Sequence, residues 1–132
     1  MIVNVQLNLI ILAVRDLERA WAFYRQVFEW EILVNAPTYK EFRMKSRQRL
    51  GLYHHEGFGR NTGQTAALPP EGQTSATELY FYAEDPPVLM ARLKEAGARL
   101  LSPMSRRAWN DEAAYFVDPD GNVLVIATEP AG

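Results

Sequence analysis

The sequence predicts one α+β domain in which a strand–helix–strand–strand–strand module occurs twice. Two observations support the repeat. An apolar strand pattern leads into an amphipathic helix in each half, and an aspartate precedes each helix, Asp16 and Asp85. The length of 132 residues suits a single domain. Each module has a sheet with one face to bury, so the two can bury these faces against each other or around a shared cavity.

The first module is predicted over about residues 5–54. Residues 5–14 are an apolar, β-rich run typical of a strand. Asp16 is the predicted N-cap of the following helix, whose apolar residues recur at three- and four-residue spacing. These are Leu17, Ala20, Trp21, Phe23, Tyr24, Val27 and Phe28. Three further strands are predicted at 30–34, 39–45 and 48–54, with a turn at 35–38.

Residues 55–75 are predicted to be a loop or linker, because they contain four glycines and two prolines. The second module then covers about residues 77–128. Its helix follows the cap Asp85, with Pro86 at its first position, and ends at Gly97. Its strands are predicted at 77–83, 98–101, 112–117 and 122–127.

Composition excludes several classes of function. A net charge of −2 gives no electrostatic basis for binding nucleic acid or an anionic membrane, and the alternating Arg43, Lys45, Arg47 and Arg49 are typical of the solvated face of a strand. Without cysteine there is no disulfide, thiolate zinc site or cysteine nucleophile. The first residues lack the features of a signal peptide, and no apolar run approaches the ~20 residues of a membrane span. We therefore expect a soluble, cytoplasmic protein.

Three motifs in the expected order resemble those of the vicinal-oxygen-chelate superfamily, which includes glyoxalases, extradiol dioxygenases and bleomycin resistance proteins. Residues 16–24 resemble its D-L-x-x-A-x-x-F-Y signature. Residues 91–98 resemble the second-module helix that ends in A-G-A. Residues 116–122 resemble its F-x-D-P-D-G-N segment, and Asp118-Pro119-Asp120-Gly121 within them is itself a tight-turn signal.

The resemblance implies two βαβββ modules whose curved mixed sheets surround a shared cavity, and a homodimer. Where the family usually ends its first helix with glycine, this chain has Glu29. We expect the helix to end there with a different cap, or slightly later.

The resemblance also allows the family's metal site to be checked position by position. In metal-using members two side chains from each module bind a divalent cation. These positions correspond here to Leu9, Gly51, Glu78 and Val125. Since only Glu78 carries a donor and a divalent cation needs four or more, the family's metal site is expected to be absent, with no cofactor in its place.

Glu78 is the candidate catalytic residue. It lies on a predicted strand with Tyr80 and Tyr82 on the same face. If its carboxylate enters the cavity, it should have a partner or a raised pKa, and it would act as a base or as an anchor for a cationic ligand. The alternative is a glutamate at a strand edge in solvent, and the sequence leaves both open.

Two aromatic residues are candidate ligand contacts. Trp109 is placed similarly to a pocket tryptophan of bleomycin-binding relatives, although Asn110 stands where those relatives often have glycine. Tyr39 matches another aromatic of that pocket. Two facing rings would clamp a flat or cationic ligand. Packing explains either residue taken alone, whereas a pocket better explains the set.

Further ligand contacts are expected near the end of the first module. The only two histidines are adjacent, and adjacent strand residues point to opposite faces, so they should not chelate one ion. Every second residue after Gly51 should face the cavity, so Tyr53 and His55 are candidate ligand contacts. A surface position nevertheless explains the histidines better. Phe58 and Arg60 could lie on a lid over the pocket mouth.

Three functions remain open. The first and favoured one is a metal-free protein, similar to the bleomycin-resistance type, that binds a small amphipathic or cationic ligand in an aromatic-lined cavity. The second is a lactoylglutathione-lyase-like enzyme or related isomerase that uses Glu78 as acid or base, with or without a metal held by groups such as His55 and Glu112. The third is an interaction module whose cavity is filled by its own aromatic side chains.

Overall fold

The computed structural model describes residues 1–130 and contains two four-stranded mixed sheets with three helices. The elements of the first module and the segment after it are β1 (Leu9–Val14), α1 (Leu17–Val27), β2 (Glu31–Asn35), β3 (Tyr39–Arg43), β4 (Arg49–His54) and α2 (His55–Thr62). Those of the second are β5 (Glu78–Tyr82), α3 (Pro86–Glu95), β6 (Arg99–Arg106), β7 (Glu112–Val117) and β8 (Val123–Thr128). The predicted α+β class and the repeated βαβββ order are confirmed.

The two sheets have the same topology. The first has the strand order β1-β4-β3-β2, and the second has β5-β8-β7-β6. In each, the first strand runs parallel to the last strand, and the remaining pairs are antiparallel. The parallel pairing requires a crossover, which the helix of each module supplies.

The helix caps follow the sequence signals. The Arg19 backbone N–H donates to Asp16 Oδ1 at 3.0 Å, and the Val88 N–H donates to Asp85 Oδ1 at 3.4 Å. Gly97, with a φ of 94°, follows α3 in the left-handed conformation. The first helix ends at Val27, earlier than expected from Glu29.

The loop predicted over residues 55–75 is wrong for residues 55–62, which form helix α2. Two glycines of this helix, Gly57 and Gly59, allow neighbouring atoms to pack closely against the backbone and do not form turns. A Cβ on Gly57 would lie 2.4 Å from the Tyr53 ring, and one on Gly59 would lie 2.5 Å from the Gln64 carbonyl oxygen. Strand β6 is also longer than predicted, and it contains Pro103, which an edge strand tolerates.

The chain forms two compact units. The first comprises residues 1–21 and 29–67, and the second comprises residues 22–28 and those from 68 onward. In the first unit Trp21 of α1 stacks on Phe42 of β3, with ring centroids 5.1 Å apart. In the second unit Phe28 packs on Phe81 of β5 at the same distance, 5.1 Å.

The second unit contains the predicted tight turn. The Asp118 carboxylate accepts hydrogen bonds from the backbone N–H groups of Asp120 and Asn122, both at 2.9 Å. It also accepts one from the Tyr24 hydroxyl at 2.6 Å. Two of the three sequence motifs therefore meet in one buried contact that serves the fold.

Along residues 1–130, no helix is both long and apolar enough to cross a lipid bilayer.

Candidate functional site

One face of the first sheet packs against Trp21, and one face of the second sheet packs against Phe28; in each sheet we call the opposite face the distal face. Trp21 contacts Phe42 in the first sheet, and Phe28 contacts Phe81 in the second. Because side chains alternate along a strand, strand register assigns the distal residues. On the first sheet they include Leu9, Tyr39, Glu41, Arg43, Arg49, Gly51 and Tyr53. On the second they include Glu78, Tyr80, Tyr82, Ala113, Tyr115, Val125 and Ala127.

A closed polar network occupies the distal face of the first sheet. Glu41 is only 5% exposed. Its carboxylate accepts a hydrogen bond from the Tyr39 hydroxyl at 2.6 Å and pairs with Arg49 Nη1 at 3.0 Å. Burial and the hydrogen bond to Glu41 raise the pKa of the Tyr39 hydroxyl well above its usual value. The buried carboxylate is thus fully partnered, and Tyr39 stays protonated at neutral pH.

Gly51 makes room for this network. A Cβ built on Gly51 would lie 2.4 Å from the Tyr39 hydroxyl oxygen and 2.9 Å from its ring. The Tyr53 ring completes the cluster, with its centroid 5.3 Å from that of Tyr39. The phenol of Tyr39 therefore fills the space that a larger side chain at position 51 would need.

A more exposed cluster, which we call the tyrosine–tryptophan patch, lies in the second unit and consists of Tyr80, Tyr82, Trp109 and Asp111. The Asp111 carboxylate is 4% exposed and accepts hydrogen bonds from the hydroxyls of Tyr80 at 2.6 Å and Tyr82 at 3.1 Å. The Trp109 Nε1–H donates to the Tyr80 hydroxyl at 2.8 Å. The rings remain accessible, since Tyr82 is 57% exposed and Trp109 is 53% exposed.

Electrostatics within the patch keep its phenols neutral. Burial and then the hydrogen bond to Asp111 raise the pKa of Tyr80, and the hydrogen bond to Asp111 followed by burial raises the pKa of Tyr82. The patch therefore presents neutral aromatic rings held in place by one buried carboxylate. Such a surface attracts flat or cationic groups through the ring faces.

Glu78 is exposed on β5, two residues before Tyr80 and on the same face of the strand. Strand β5 is an edge strand of the second sheet. The Glu78 carboxylate therefore lies at the edge of the distal face, on the strand that carries Tyr80 and Tyr82.

Glu41 and Asp111 were not predicted from the sequence. Glu41 lies in the middle of β3, and Asp111 follows Asn110, which has a positive φ of 78°. The hydrogen-bond partners of Glu41 are brought close by strand register, and those of Asp111 are distant in sequence. No local sequence pattern therefore predicts either set of contacts. The only available signal was the accumulation of tyrosines on the predicted strands.

The four residues predicted at the family's metal positions lie on the distal faces of the two sheets. Register places Leu9 and Gly51 on the distal face of the first sheet, and Glu78 and Val125 on that of the second. Their side chains offer a single carboxylate among them, and the Tyr39 phenol fills the space beside Gly51. Within residues 1–130, no group of three or more His, Asp or Glu side chains is placed to hold a metal ion.

The histidines differ from the strand-parity expectation. Strand β4 ends at His54, and His55 begins α2, so the alternation of a strand does not extend to His55. The His54 side chain caps the helix by accepting from the Glu56 backbone N–H at 3.4 Å. The two imidazole rings lie 4.5 Å apart, and the prediction that they point to opposite faces is therefore wrong. Phe58 is half-buried on the same helix.

Two βαβββ modules with matching sheet topology define a class of paired-module α+β proteins. The model of the glyoxalase-like domain matches residues 7–129. The chain belongs to the glyoxalase-like domain family, and hence to the vicinal-oxygen-chelate superfamily that its motifs indicate.

Solved structures agree with this assignment. The chain is similar to a glyoxalase-related enzyme from Fulvimarina pelagi at 25% identity and a TM-score of 0.81, with 96% of this chain and 92% of that chain covered. A glyoxalase/bleomycin resistance protein/dioxygenase from Nocardioides has 19% identity and a TM-score of 0.81, with 100% and 88% covered. A lactoylglutathione lyase from Agrobacterium tumefaciens has 24% identity and a TM-score of 0.69, with 93% and 92% covered. These last two likenesses concern the fold alone.

Proposed function

We propose that this protein binds a small amphipathic or cationic ligand without a metal ion, in an aromatic-lined cavity to which the tyrosine–tryptophan patch contributes. The observation that carries the proposal is the exposure of Tyr80, Tyr82 and Trp109 around the buried Asp111 carboxylate. Hydrogen bonds to fixed partners reduce the entropy that these side chains would lose on binding.

The charge near the patch favours a cation over an anion. Asp111 places negative charge behind the phenols, and the exposed carboxylate of Glu78 adds a second one on the same face of the sheet. Aromatic faces attract cations within about 6 Å of the ring centroid. A flat ligand with one positive group would stack on the rings and place that group towards Glu78. The other predicted ligand contacts, Tyr39, Tyr53, His55 and Phe58, lie in the first unit and remain proposals for that unit.

The proposal that no metal takes part is supported by the donor chemistry of Leu9, Gly51, Glu78 and Val125. Hydrocarbon side chains and a glycine donate no electron pair, so they cannot replace the water ligands of a cation. Elemental analysis of the purified protein should therefore show no stoichiometric divalent metal. One full equivalent of such a metal would contradict this part of the proposal.

Rhodamine 6G, a flat amphipathic cation, is a suitable probe, with the anionic dye fluorescein as the charge control. We expect Trp109→Ala to weaken rhodamine binding by about ten-fold, because it removes a largely exposed ring and the donor to Tyr80. Calorimetric titration measures the change. Leu100→Ala is the matched control, since Leu100 is an exposed apolar residue of the same sheet outside the patch. A loss of fluorescein affinity in Trp109→Ala as large as the loss of rhodamine affinity, or an equal loss of rhodamine affinity in both variants, would count against the proposal.

A lyase or isomerase of the glyoxalase type is the second candidate. One observation favours it: of the four family metal positions, Glu78 carries the single carboxylate, and that carboxylate is exposed. Turnover of a hemithioacetal that is abolished by Glu78→Gln would establish an acid or base role for Glu78. Unchanged turnover in that variant would remove Glu78 from the mechanism.

We also propose that the chain forms a homodimer, which light scattering would test, and a monomer would contradict it. A folded protein that takes up neither dye and turns over no hemithioacetal would instead favour the interaction module.

A further inference from the structure

We propose that a cleft beside the β3–β4 hairpin binds an anionic group, a carboxylate or phosphate of a small ligand. We call it the arginine cleft, and it belongs wholly to the first unit. It has a volume of about 620 Å³, which is within the range of small-molecule sites. Its lining residues are Gln6, Leu7, Asn8, Arg43, Ser46, Arg47, Gln48 and Arg49.

The lining of the cleft has a uniform sign of charge. Three of its side chains are guanidinium groups, and none is a carboxylate. Arg43 pairs with Glu31 at 3.2 Å and Arg49 pairs with Glu41 at 3.0 Å, but neither glutamate lines the cleft. Arg47 has no carboxylate partner anywhere in the described part of the chain. The cleft therefore retains one positive charge that the fold does not neutralise.

Unused hydrogen-bond donors support the same conclusion. Arg43 uses Nε to pair with Glu31 at 3.2 Å, and Arg49 donates from Nη1 to Glu41 at 3.0 Å and from Nε to the Asn8 carbonyl at 3.5 Å. Each guanidinium carries five N–H donors in a planar fork, so one carboxylate partner leaves several of them unused. Such a fork matches the geometry of carboxylate and phosphate oxygens. The chemistry of the cleft thus recognises an oxyanion rather than a cation or a neutral group.

The backbone places Arg47 at the cleft in an unusual conformation. Its φ is 72°, in the left-handed region that a non-glycine residue seldom adopts. The hairpin holds it there through two backbone hydrogen bonds, from Arg47 N to the Met44 carbonyl at 2.9 Å and from Met44 N to the Gln48 carbonyl at 2.9 Å. A glycine would adopt this φ angle without strain. The presence of an arginine at this position instead points to a function of its side chain.

Titration with inorganic phosphate and, separately, with acetate at low salt tests the proposal and distinguishes the two oxyanions. NMR of the arginine side-chain N–H groups should report one saturable site. Arg47→Gln should weaken binding by about ten-fold or more, because it removes charge-assisted hydrogen bonds. Arg47→Lys retains the charge but loses the fork, so it should give an intermediate affinity.

Lys45→Gln is the matched control. It removes one positive charge from the same exposed hairpin, but Lys45 does not line the arginine cleft. We expect it to change phosphate affinity by less than about two-fold, through screened long-range attraction alone. Equal weakening in Lys45→Gln and Arg47→Gln would reduce the effect to general surface charge and overturn the proposal. So would the absence of saturable binding of either anion to the wild-type protein.

Discussion

The two modules use corresponding hairpins in different ways. The connection between β7 and β8 is closed by Asp118, whose carboxylate is buried and accepts hydrogen bonds from backbone groups and from Tyr24. The connection between β3 and β4 contains Arg47, exposed and without a carboxylate partner in the described chain. Because the sheets share one topology, this difference shows that the repeat fixes where a hairpin lies and leaves its chemistry to vary.

The distal faces differ in a related way. In the first sheet Glu41 is enclosed by Tyr39 and Arg49, and the network holds those side chains in place. In the second sheet the buried acid Asp111 orients tyrosines whose rings stay exposed. A carboxylate buried in a satisfied network stabilises the fold, whereas exposed rings anchored to one are available to a ligand. The network around Glu41 therefore serves stability, and we propose that the exposed rings around Asp111 serve binding.

The largest expected effect concerns the hairpins. Asp118→Ala should lower the free energy of unfolding by about 3 kcal/mol or more, because it leaves buried donors of Tyr24 and Asn122 without their acceptor. Urea unfolding measures the loss. Arg47→Gly in the corresponding hairpin should change stability by less than about 1 kcal/mol, since relief of the left-handed strain opposes the added freedom of the unfolded chain. Equal losses would show that both hairpins serve the fold alike.

Much of the fold could be predicted from local signals. Asp16, Asp85 and Gly97 act through hydrogen bonds and φ angles within a few residues, so their roles as caps follow from the sequence. Helix α2 was missed because Gly57 and Gly59 serve close packing, and a glycine in a sequence looks the same whether it turns the chain or admits a neighbour. That distinction depends on residues that tertiary structure brings near.

The candidate site was harder to predict from the sequence than the fold was. The positions of Tyr80 and Tyr82 on one face follow from strand alternation. The role of Asp111 does not, because its hydrogen bonds to them cross about thirty residues of chain and depend on how β7 pairs with β8. A buried carboxylate has no signature in a single sequence, since its burial is decided by its partners.

A second prediction compares two acids on the distal faces. Glu41→Gln should lower the free energy of unfolding by about 1–3 kcal/mol, because Arg49 loses its charged acceptor in a buried network. Glu78→Gln makes the same chemical change at an exposed position and should alter stability by less than about 0.5 kcal/mol. Urea unfolding of both variants at neutral pH gives the comparison. A large loss in Glu78→Gln would place that residue among the structural ones.

The smallest predicted effect is a dependence on alkaline pH. Burial, followed by the negative charge of Asp118, raises the pKa of Tyr24 in the folded protein. The unfolded chain, with a tyrosine pKa of about 10, then loses its proton first. The stability that Tyr24 contributes is therefore complete below about pH 10 and declines above it, by up to about 1.4 kcal/mol per pH unit.

Tyr24→Phe should remove this part of the decline, so its stability should fall less steeply than that of the wild type between about pH 9 and pH 11. Urea unfolding across that range measures the slope, apart from any constant loss caused by the missing hydrogen bond to Asp118. Tyr82→Phe is the control, because Tyr82 is 57% exposed and solvent weakens its coupling to Asp111. If Tyr24→Phe declines in parallel with the wild type while Tyr82→Phe does not, the exposed patch governs alkaline stability and the assignment of roles to the two tyrosines is reversed.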